Sequence, residues 1–408
     1  MTPYSMGLGT GGMKAYDIII AGGAMAGATA ALALDTLSGG QLRIAVVEAM
    51  LPDHANHPGY DARSIALAQG SCAALESLGL WSALAPFGTP IQHIHVSDRG
   101  HAGQTQIDAN AQGVPYLGQV IELADAGRVF HQQLSHRSAI DLYCPDYVEH
   151  IDREQASVTV KLKQGETLQA KLLVAADGGR SPCCQQLKIA RQQHDFHQVA
   201  IIANVSTALP HQGVAFERFT RTGPVALLPM SQGRCSVVWC VSPDEVDHWL
   251  TCDEATFLDG LQTAFGWRLG KLLHVGTRHA YPLVLNQVVS PVSHRVAVVG
   301  NAAQSLHPIA GQGFNLGLRD VITLAEVLTA ASARGEDLGA MPVLTRYAQH
   351  READREATIA TTSGLVHLFS NQNAVLSATR NLGLGLMSAL PSLKQPLIQR
   401  TIGWVART

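Results

Sequence analysis

The sequence predicts an α/β fold with one domain built on a parallel sheet, a second domain built on an antiparallel sheet, and C-terminal helices. Three observations support this prediction. A strand, a glycine-rich turn, a helix and another strand follow one another over residues 16–48, which is the order of a βαβ unit. Four strand-like runs separated by Gly, Pro and Ser fill residues 197–241. Helix-like segments at 313–333 and 341–369 follow toward the C-terminus.

The first domain is predicted from apolar strands and the helices between them. The βαβ unit consists of a strand at 16–23, an Ala-rich helix at 24–37 and a short strand at 42–48. Residues 64–85 are expected to form a helix. The next expected elements are strands at 93–97 and 116–122, a helix at 127–137 and a hairpin of 158–162 with 168–175.

The second domain is predicted from the runs in the middle of the chain, because short strands joined by turn residues pair with one another. These runs are 197–206, 213–220, 225–230 and 235–241. A further apolar strand at 295–299 resembles those of the βαβ unit, so the first domain is expected to be discontinuous. The predicted division assigns 13–98, 119–182 and 291–350 to the first domain, 99–118 and 183–290 to the second, and 351–408 to a C-terminal helical region.

The composition argues against several classes of function. The chain has 29 basic and 32 acidic residues, a net charge of −3, whereas a nucleic-acid-binding domain would carry a basic face. Its 18 histidines show none of the spacings typical of metal ligands, so we expect no metal site. The seven cysteines are odd in number and include no CxxC pair, which indicates reduced thiols.

A first glycine-rich motif lies at the turn between the first strand and the first helix. Gly22-Gly23-Ala24-Met25-Ala26-Gly27 permits a tight turn, and the helix N-terminus after it offers N–H groups to a pyrophosphate. Glu48 ends the next strand, 21 residues after Gly27, where a carboxylate accepts hydrogen bonds from ribose hydroxyls. The motif indicates a Rossmann-like dinucleotide site, although Ala24 stands where a glycine is usual. The alternative is a turn that binds no nucleotide.

Two further motifs support a dinucleotide that carries a flat ring. Asp177-Gly178 follows an apolar strand and places a carboxylate beside flexible backbone. In the third motif, over 300–320, glycines admit a flat ring against the backbone. The helix that begins near Gly313 directs the positive end of its dipole toward that ring. The candidate ligand-binding residues of the third motif are Gly300, Asn301, Pro308, Gly311, Gln312, Gly313, Phe314 and Asn315.

These three motifs, in this order, resemble the flavin-dependent aromatic hydroxylases of the para-hydroxybenzoate hydroxylase type. The resemblance spans about residues 16–370 and implies FAD as the cofactor. It places the first motif at the ADP moiety, Asp177 and Gly178 near the pyrophosphate, and the third motif at the ribityl chain and isoalloxazine. It also implies NADH or NADPH as reductant and oxygen transfer from O2 through a flavin C4a-hydroperoxide. An apolar sheet from 197–241 would exclude water from that transfer.

Within that family the chain is most similar to the hydroxylases of ubiquinone biosynthesis. The segment Tyr60-Asp-Ala-Arg63-Ser-Ile-Ala-Leu67 resembles theirs, whose arginine lies beside the flavin, and 300–317 resembles the 2-octaprenyl-6-methoxyphenol hydroxylase branch. Asn301 and Gln304 replace the Asp and His that are usual in the broader family. An Asn amide oxygen still accepts a hydrogen bond from a ribityl hydroxyl, so FAD binding is expected to be retained.

The resemblance also suggests residues near the reacting ring. His307 and Pro308 are expected there, where His307 relays a proton or else only binds its own loop. Arg128 occupies the place of a polar flavin contact, with a solvent-exposed helix arginine as the alternative.

The expected reaction is FAD-dependent hydroxylation of the ring of a polyprenylated phenol, 2-polyprenyl-6-methoxyphenol, in ubiquinone biosynthesis. Two alternatives stay open. One is hydroxylation of another ring position or of another aromatic compound, and the other is a mainly structural role in a ubiquinone-biosynthesis protein complex. The expected partners are the phenol and O2, with that complex and a second copy of this chain as further candidates, and no nucleic acid.

The last 52 residues, after Glu356, contain no Asp or Glu. Arg380, Lys394, Arg400 and Arg407 alternate there with apolar residues, which is typical of a segment that contacts anionic lipid. We expect no transmembrane helix, because no apolar run reaches about 20 residues, and residues 1–12 lack the features of a signal peptide, with Met13 as an alternative start. The expected location is therefore cytoplasmic and peripheral to the inner membrane. The alternative is a helical cap packed on the first domain or on another subunit.

Overall fold

The computed structural model describes residues 13–51, 63–101, 103–306, 312–370, 398–399 and 402–403. Within these residues the chain forms twenty strands and nine α-helices. The strands are β1 (Lys14–Ala21), β2 (Ile44–Val47), β3 (Ser64–Ala68), β4 (Thr89–Ile91), β5 (His93–Asp98), β6 (Gln104–Asp108), β7 (Gly118–Glu122), β8 (Ile140–Tyr143), β9 (Val148–Arg153), β10 (Val158–Leu162), β11 (Thr167–Ala175), β12 (Arg191–Thr207), β13 (Val214–Thr220), β14 (Gly223–Pro229), β15 (Arg234–Val241), β16 (Leu272–Val275), β17 (His279–Val288), β18 (Val292–Ser293), β19 (Val296–Val298) and β20 (Gln304–Ser305). The helices are α1 (Met25–Ser38), α2 (Gln69–Ser77), α3 (Trp81–Leu84), α4 (Leu123–Ser135), α5 (Pro182–Gln186), α6 (Val246–Thr251), α7 (Glu254–Phe265), α8 (Gln312–Ala333) and α9 (Met341–Ser370).

The first sheet has eight strands and a parallel centre. Its main path is β18-β19-β11-β1-β2-β8, and β10 and β9 extend it from β11. In the middle of the sheet Ile18 of β1 lies opposite Leu172 of β11 and Ile44 of β2. These strands are almost wholly apolar because both faces are covered, one by α1, α4 and α8 and the other by the β9–β10 hairpin. The βαβ unit predicted over 16–48 is confirmed.

The second sheet has nine strands in the order β20-β17-β12-β15-β14-β13-β5-β6, with β16 also paired to β12. Its neighbours are antiparallel except for β13 and β5, which are parallel. Because side chains alternate along a strand, Ile201 of β12 packs toward Phe257 of α7, whereas Ala200 and Ile202 face a cavity. The sheet predicted over 197–241 is confirmed, and strands from both sides of that segment enlarge it.

A third sheet, β3-β7-β4, corrects one prediction. Residues 64–85 were expected to be helical throughout, but Ser64–Ala68 form a strand that pairs with β7, and only the later residues form α2 and α3. The helix prediction for 64–68 is therefore wrong. Ala and Leu have high helix propensities, but such propensities amount to less than about 1 kcal/mol per residue, and the pairing with β7 outweighs them.

The predicted boundary between residues 98 and 99 lies between two strands of one sheet. β5 belongs by prediction to the first domain, yet it pairs with both β13 and β6 of the second sheet. The other boundaries of the predicted division stay predictions.

Part of the C-terminal tail is buried against the protein. Ile398 and Ile402 belong to an apolar cluster with Ile91 and Met230, and the Gly70 N–H donates to the Ile402 carbonyl at 2.8 Å. The four basic residues of the tail lie outside the described residues. In the part of the chain that the structure describes, no helix is long and apolar enough to cross a membrane.

Candidate active site

A cavity of about 1240 Å³ lies between the first and second sheets. On one side it is lined by residues at the carboxyl ends of the parallel strands, among them Gly22, Glu48 and Asp177. This is the edge at which open α/β sheets bind ligands. On the other side it is lined by the second sheet. The cavity exceeds the range of about 300–1,000 Å³ usual for a small ligand, so it has room for a large cofactor together with a substrate.

The first glycine motif forms a turn that is packed too closely for side chains. Gly22 has a φ of +97°, and a Cβ there would lie 2.5 Å from the Ala176 carbonyl oxygen. A Cβ on Gly27 would lie 1.7 Å from the carbonyl oxygen of Gly22. Neither Gly23 nor Gly27 lines the cavity, whereas Gly22, Ala24, Met25 and Ala26 do. The glycines therefore bring the start of α1 close to the end of β1.

The N-terminus of α1 faces the cavity without a side-chain cap. Its N-cap residue is Ala24, no described side chain caps the helix, and its first turn contains no acidic residue. The first N–H groups of a helix have no partner within the helix and favour an anion, so this end suits a phosphate group.

Glu48 links the glycine turn to the end of β2. Its carboxylate accepts hydrogen bonds from the Gly23 N–H at 2.6 Å and from the Met50 N–H at 2.8 Å. A carboxylate has about four acceptor positions, so this one has further capacity for ligand hydroxyls. The spacing of 21 residues after Gly27 predicted a ribose contact for Glu48. In the structure Glu48 lies beside the glycine turn and lines the cavity.

The Asp177–Gly178 loop is held by its own side chains. Asp177 accepts hydrogen bonds from the Ser181 hydroxyl at 2.5 Å and from the Cys183 N–H at 2.9 Å. Gly178 has a φ of +83°, and no described atom lies within 4 Å of where its Cβ would be. Both residues line the cavity. Asp177 therefore fixes the loop while Gly178 keeps the space beside it open.

The third motif lines the cavity through Gly300, Asn301, Gly313 and Phe314. A Cβ on Gly300 would lie 2.7 Å from the Cβ of Ala26, so this glycine allows close packing against α1. Gly313 differs, because no described atom lies within 4 Å of its Cβ position. The predictions for His307, Pro308 and Gly311 fall outside the described residues.

The far part of the cavity is an apolar chamber formed mainly by the second sheet. Its apolar lining residues are Ile91, Ile94, Val96, Ile107, Ala200, Ile202, Ala215, Phe216, Phe219, Ala226, Leu228, Val238, Leu283 and Ile398. The sequence indicated an apolar surface within 197–241 but missed the contributions of β5, β6 and β17 to it. Those three strands are far away in sequence, and only the sheet order brings them to the same chamber.

A sequence model of the family described as FAD binding domain matches residues 15–362. The chain belongs to this family. The match covers all three motifs described above, so the resemblance predicted from them is confirmed and FAD is the cofactor.

Curated relatives are similar over nearly the whole chain. A ubiquinone hydroxylase UbiL from Rhodospirillum rubrum is 35% identical over 96% of this chain and 90% of its own length. A 3-demethoxyubiquinol 3-hydroxylase from Escherichia coli is 29% identical over 95% of this chain and 98% of its own. Among solved structures, p-nitrophenol 4-monooxygenase PnpA from Pseudomonas putida superposes with a TM-score of 0.79 at 19% identity, covering 96% and 99% of the two chains. This chain is thus an FAD-dependent monooxygenase with the fold of that structure.

The residues around the cavity fit FAD. The uncapped N-terminus of α1 suits the pyrophosphate, and Glu48 suits the hydroxyls of the adenosine ribose. The open spaces beside Gly178 and Gly313 are where a cofactor can approach the backbone, and Phe314 presents an apolar surface near the second of these. FAD bound here would supply the electrons and the activated oxygen, and the protein would supply position and shelter from water.

Four other predicted FAD contacts lie outside the cavity lining. Asn315 is buried, and its amide accepts from the Ala68 N–H at 2.8 Å and donates to the Ala66 carbonyl at 2.9 Å, so it joins α8 to β3. Gln312 is buried at the start of α8. The third is Arg63, whose guanidinium donates to the hydroxyl of Tyr281, a cavity residue, at 3.2 Å. The fourth, Arg128, is described separately.

Arg128 is occupied by contacts on its own side of the fold. Its guanidinium pairs with Asp125 at 2.9 Å and lies 4.8 Å from the centre of the Phe87 ring. These contacts favour the alternative of a surface arginine on α4.

A buried ionic network that no sequence motif indicated anchors the third motif. Gln304 donates to Asp320 of α8, which also accepts from Arg351 of α9 at 2.6 Å. Arg319 and Arg351 both pair with Asp354. Burial alone would raise the pKa of Asp354, but the charges of the two arginines outweigh it and hold the pKa below its ordinary value. Gln304 thus has a structural role, because its uncharged amide can donate the hydrogen bond that Asp320 accepts.

Proposed function

We propose that this FAD-dependent monooxygenase hydroxylates the ring of a polyprenylated phenol in ubiquinone biosynthesis, with NADH or NADPH as reductant. The 2-polyprenyl-6-methoxyphenol class is the substrate class we favour. Both curated relatives described above are named for reactions of ubiquinones or ubiquinols. The segment 300–317 resembles the 2-octaprenyl-6-methoxyphenol hydroxylase branch, which supports this substrate class.

The observation that carries the proposal is the continuity of one cavity from the nucleotide turn to the apolar chamber. The polar end of the cavity suits the phosphates and riboses of FAD. The chamber is lined by aliphatic and aromatic side chains. Burial of a prenyl chain against them is favourable because it removes apolar surface from water, whereas a small polar substrate would gain little binding free energy there.

The same chamber supports the chemistry by excluding water. Oxygen transfer to a ring competes with loss of the oxygen as H2O2 when water reaches the site. Ile202, Val238 and Leu228 contribute side chains that cannot hydrogen-bond water. His307 and Pro308 remain our candidates for residues beside the reacting ring.

The decisive experiment measures substrate choice. We expect FAD-loaded protein to oxidise NADH or NADPH faster when a 2-methoxyphenol with a short prenyl chain is added, and to yield a product heavier by one oxygen. An Ala215→Phe variant fills the chamber and should raise KM for the prenylated phenol by about tenfold or more while FAD content is unchanged. Ala156→Phe, on an exposed turn, is the matched control. Equal KM values in all three proteins would refute the assignment of the chamber.

A structural role in a biosynthetic complex is the alternative to catalysis. Quinone profiling of a deletion strain distinguishes the two, because the phenol substrate accumulates when the enzyme that consumes it is absent. Restoration of ubiquinone by a variant that cannot bind FAD would favour the structural role.

We also propose that the acid-free tail contacts anionic membrane lipid. Ile398 lines the chamber, so the tail is attached next to the space that we assign to the prenylated substrate. Truncation is a poor test because it removes Ile398 and Ile402 from the core. The better comparison is flotation with anionic liposomes of the wild-type protein and a variant with Arg380, Lys394, Arg400 and Arg407 changed to Gln. Equal flotation of the two proteins would refute lipid contact through these charges.

A further inference from the structure

The apolar chamber contains one carboxylate, Glu217, among the described residues contributed by the second sheet. Glu217 lies on β13 and faces the cavity like Ala215 and Phe219, two residues before and after it. The other carboxylates that line the cavity among the described residues are Glu48, Asp146 and Asp177, all on the side of the first sheet. Glu217 is thus separated from the part that suits FAD phosphates and ribose.

Glu217 lies within a row of cross-strand neighbours, most of which line the cavity. Val96 and Ala226 are its direct partners on β5 and β14. The members of this row that line the cavity are, from one edge inward, Thr105, Val96, Glu217, Ala226, Val238 and Ile202. The row ends at His279 of β17, which lies opposite Ile202 and is not part of the cavity lining. None of the other cavity-lining members of this row is ionisable, and Ala226 beside the carboxylate is small.

A carboxylate in such surroundings requires hydrogen bonds. Its desolvation costs free energy unless donors compensate it. The pKa of the nearby Cys240 thiol is raised, first by burial and second by the negative charge of Glu217. A carboxylate accepts up to about four hydrogen bonds, so a substrate hydroxyl can bind to it alongside donors of the protein.

We infer that Glu217 accepts the hydrogen bond of the substrate's ring hydroxyl and thereby selects phenols over their ethers. This inference rests on the proposed function, because it requires a phenol in the chamber. A charged acceptor beside the hydroxyl orients the ring and increases its electron density, which favours attack by an electrophilic oxygen. No proton needs to leave the hydroxyl for either effect.

The test compares two ligands of nearly equal shape. One is a 2-methoxyphenol with a short prenyl chain, and the other is its O-methyl ether, which cannot donate a hydrogen bond. Binding is measured from the change in flavin absorbance of FAD-loaded protein. We expect wild-type protein to bind the phenol about ten- to a hundredfold more tightly than the ether, as for a hydrogen bond to a charged group. Glu217→Leu should bind both equally, and Glu217→Gln should show an intermediate ratio.

The matched control is Glu149→Gln, a surface carboxylate that pairs with Lys163 and should leave the ratio unchanged. FAD content of each variant shows whether the fold is retained. If Glu217→Leu binds FAD and still prefers the phenol as strongly as the wild type, the inference is overturned and the proposed function stands. If FAD-loaded wild-type protein binds neither ligand, both the inference and the proposed function fail.

Discussion

Gly313 and Gly27 are expected to affect the protein in opposite ways when each is changed to Ala. No described atom lies within 4 Å of the Cβ position of Gly313, and that residue lines the cavity. Gly313→Ala therefore adds a methyl group to the space we assign to FAD. A Cβ at Gly27 would instead lie 1.7 Å from the carbonyl oxygen of Gly22, so Gly27→Ala must displace backbone.

The magnitudes follow from these two geometries. Gly313 lies in α8, where Ala is favoured over Gly by up to about 1 kcal/mol, so the FAD-free variant should be at least as stable as the wild type. Intrusion into a packed space costs about 1–3 kcal/mol, which corresponds to roughly a 5- to 150-fold increase in the Kd for FAD. Gly27→Ala should lower the stability of the FAD-free protein by a similar or larger free energy.

The assay combines two measurements on FAD-free protein. Titration with FAD, followed by quenching of flavin fluorescence, gives Kd, and urea unfolding followed by circular dichroism gives the midpoint. An unchanged Kd in Gly313→Ala would refute the placement of FAD beside this glycine. The placement would also be refuted if the FAD-free Gly313→Ala variant had a lower urea midpoint than the wild type, because destabilisation would then explain its weaker FAD binding.

Three further predictions concern single side chains. Glu48→Ala should raise the Kd for FAD about tenfold or more in the same titration, because it removes a charged acceptor at the ribose position; an unchanged Kd would contradict this. Asp354→Asn should cost about 3–5 kcal/mol at pH 7, since it breaks a buried ion pair. The folded-state pKa of Asp354 is lowered, so its stabilisation is present above the unfolded pKa and is lost as pH falls through the folded value. The urea midpoints of variant and wild type should therefore begin to converge as pH falls below about 4. Burial raises the pKa of Cys235 to about 12, so iodoacetamide at pH 8 should label the partly exposed Cys252 faster than Cys235, as peptide mass spectrometry would show.

The polar half of the site was predictable because its residues follow one another along the chain. Gly22 and Glu48 belong to one βαβ unit, whose geometry fixes where a turn and the end of the next strand lie. Asp177 follows β11, which is the direct neighbour of β1. The carboxyl ends of adjacent parallel strands meet at one edge, so these motifs had to converge.

The apolar half was less predictable because its strands come from separated segments. Val96 and Glu217 are direct neighbours in space, but they are 121 residues apart and their pairing is parallel. No local pattern states that β5 joins β13. The alternation of Ala215, Glu217 and Phe219 did contain a signal, since it places a carboxylate on the same face as two apolar residues. Without the sheet order that face could not be assigned to a ligand.

The glycines of the motifs have two different roles, close packing of the backbone and space for the cofactor, and the sequence match alone does not distinguish them. In the sequence, Gly22, Gly27, Gly300 and Gly313 all belong to motifs in which the backbone is expected to approach the cofactor. The structure divides them, because side chains at the first three would collide with other parts of the protein, whereas Gly313 is open toward the cavity. A Gly22→Val variant would therefore lose FAD through damage to the turn against Ala176 and would say little about contact with the cofactor. Only substitutions at the open glycines can separate cofactor binding from folding, which is why Gly313 is the position that tests the site.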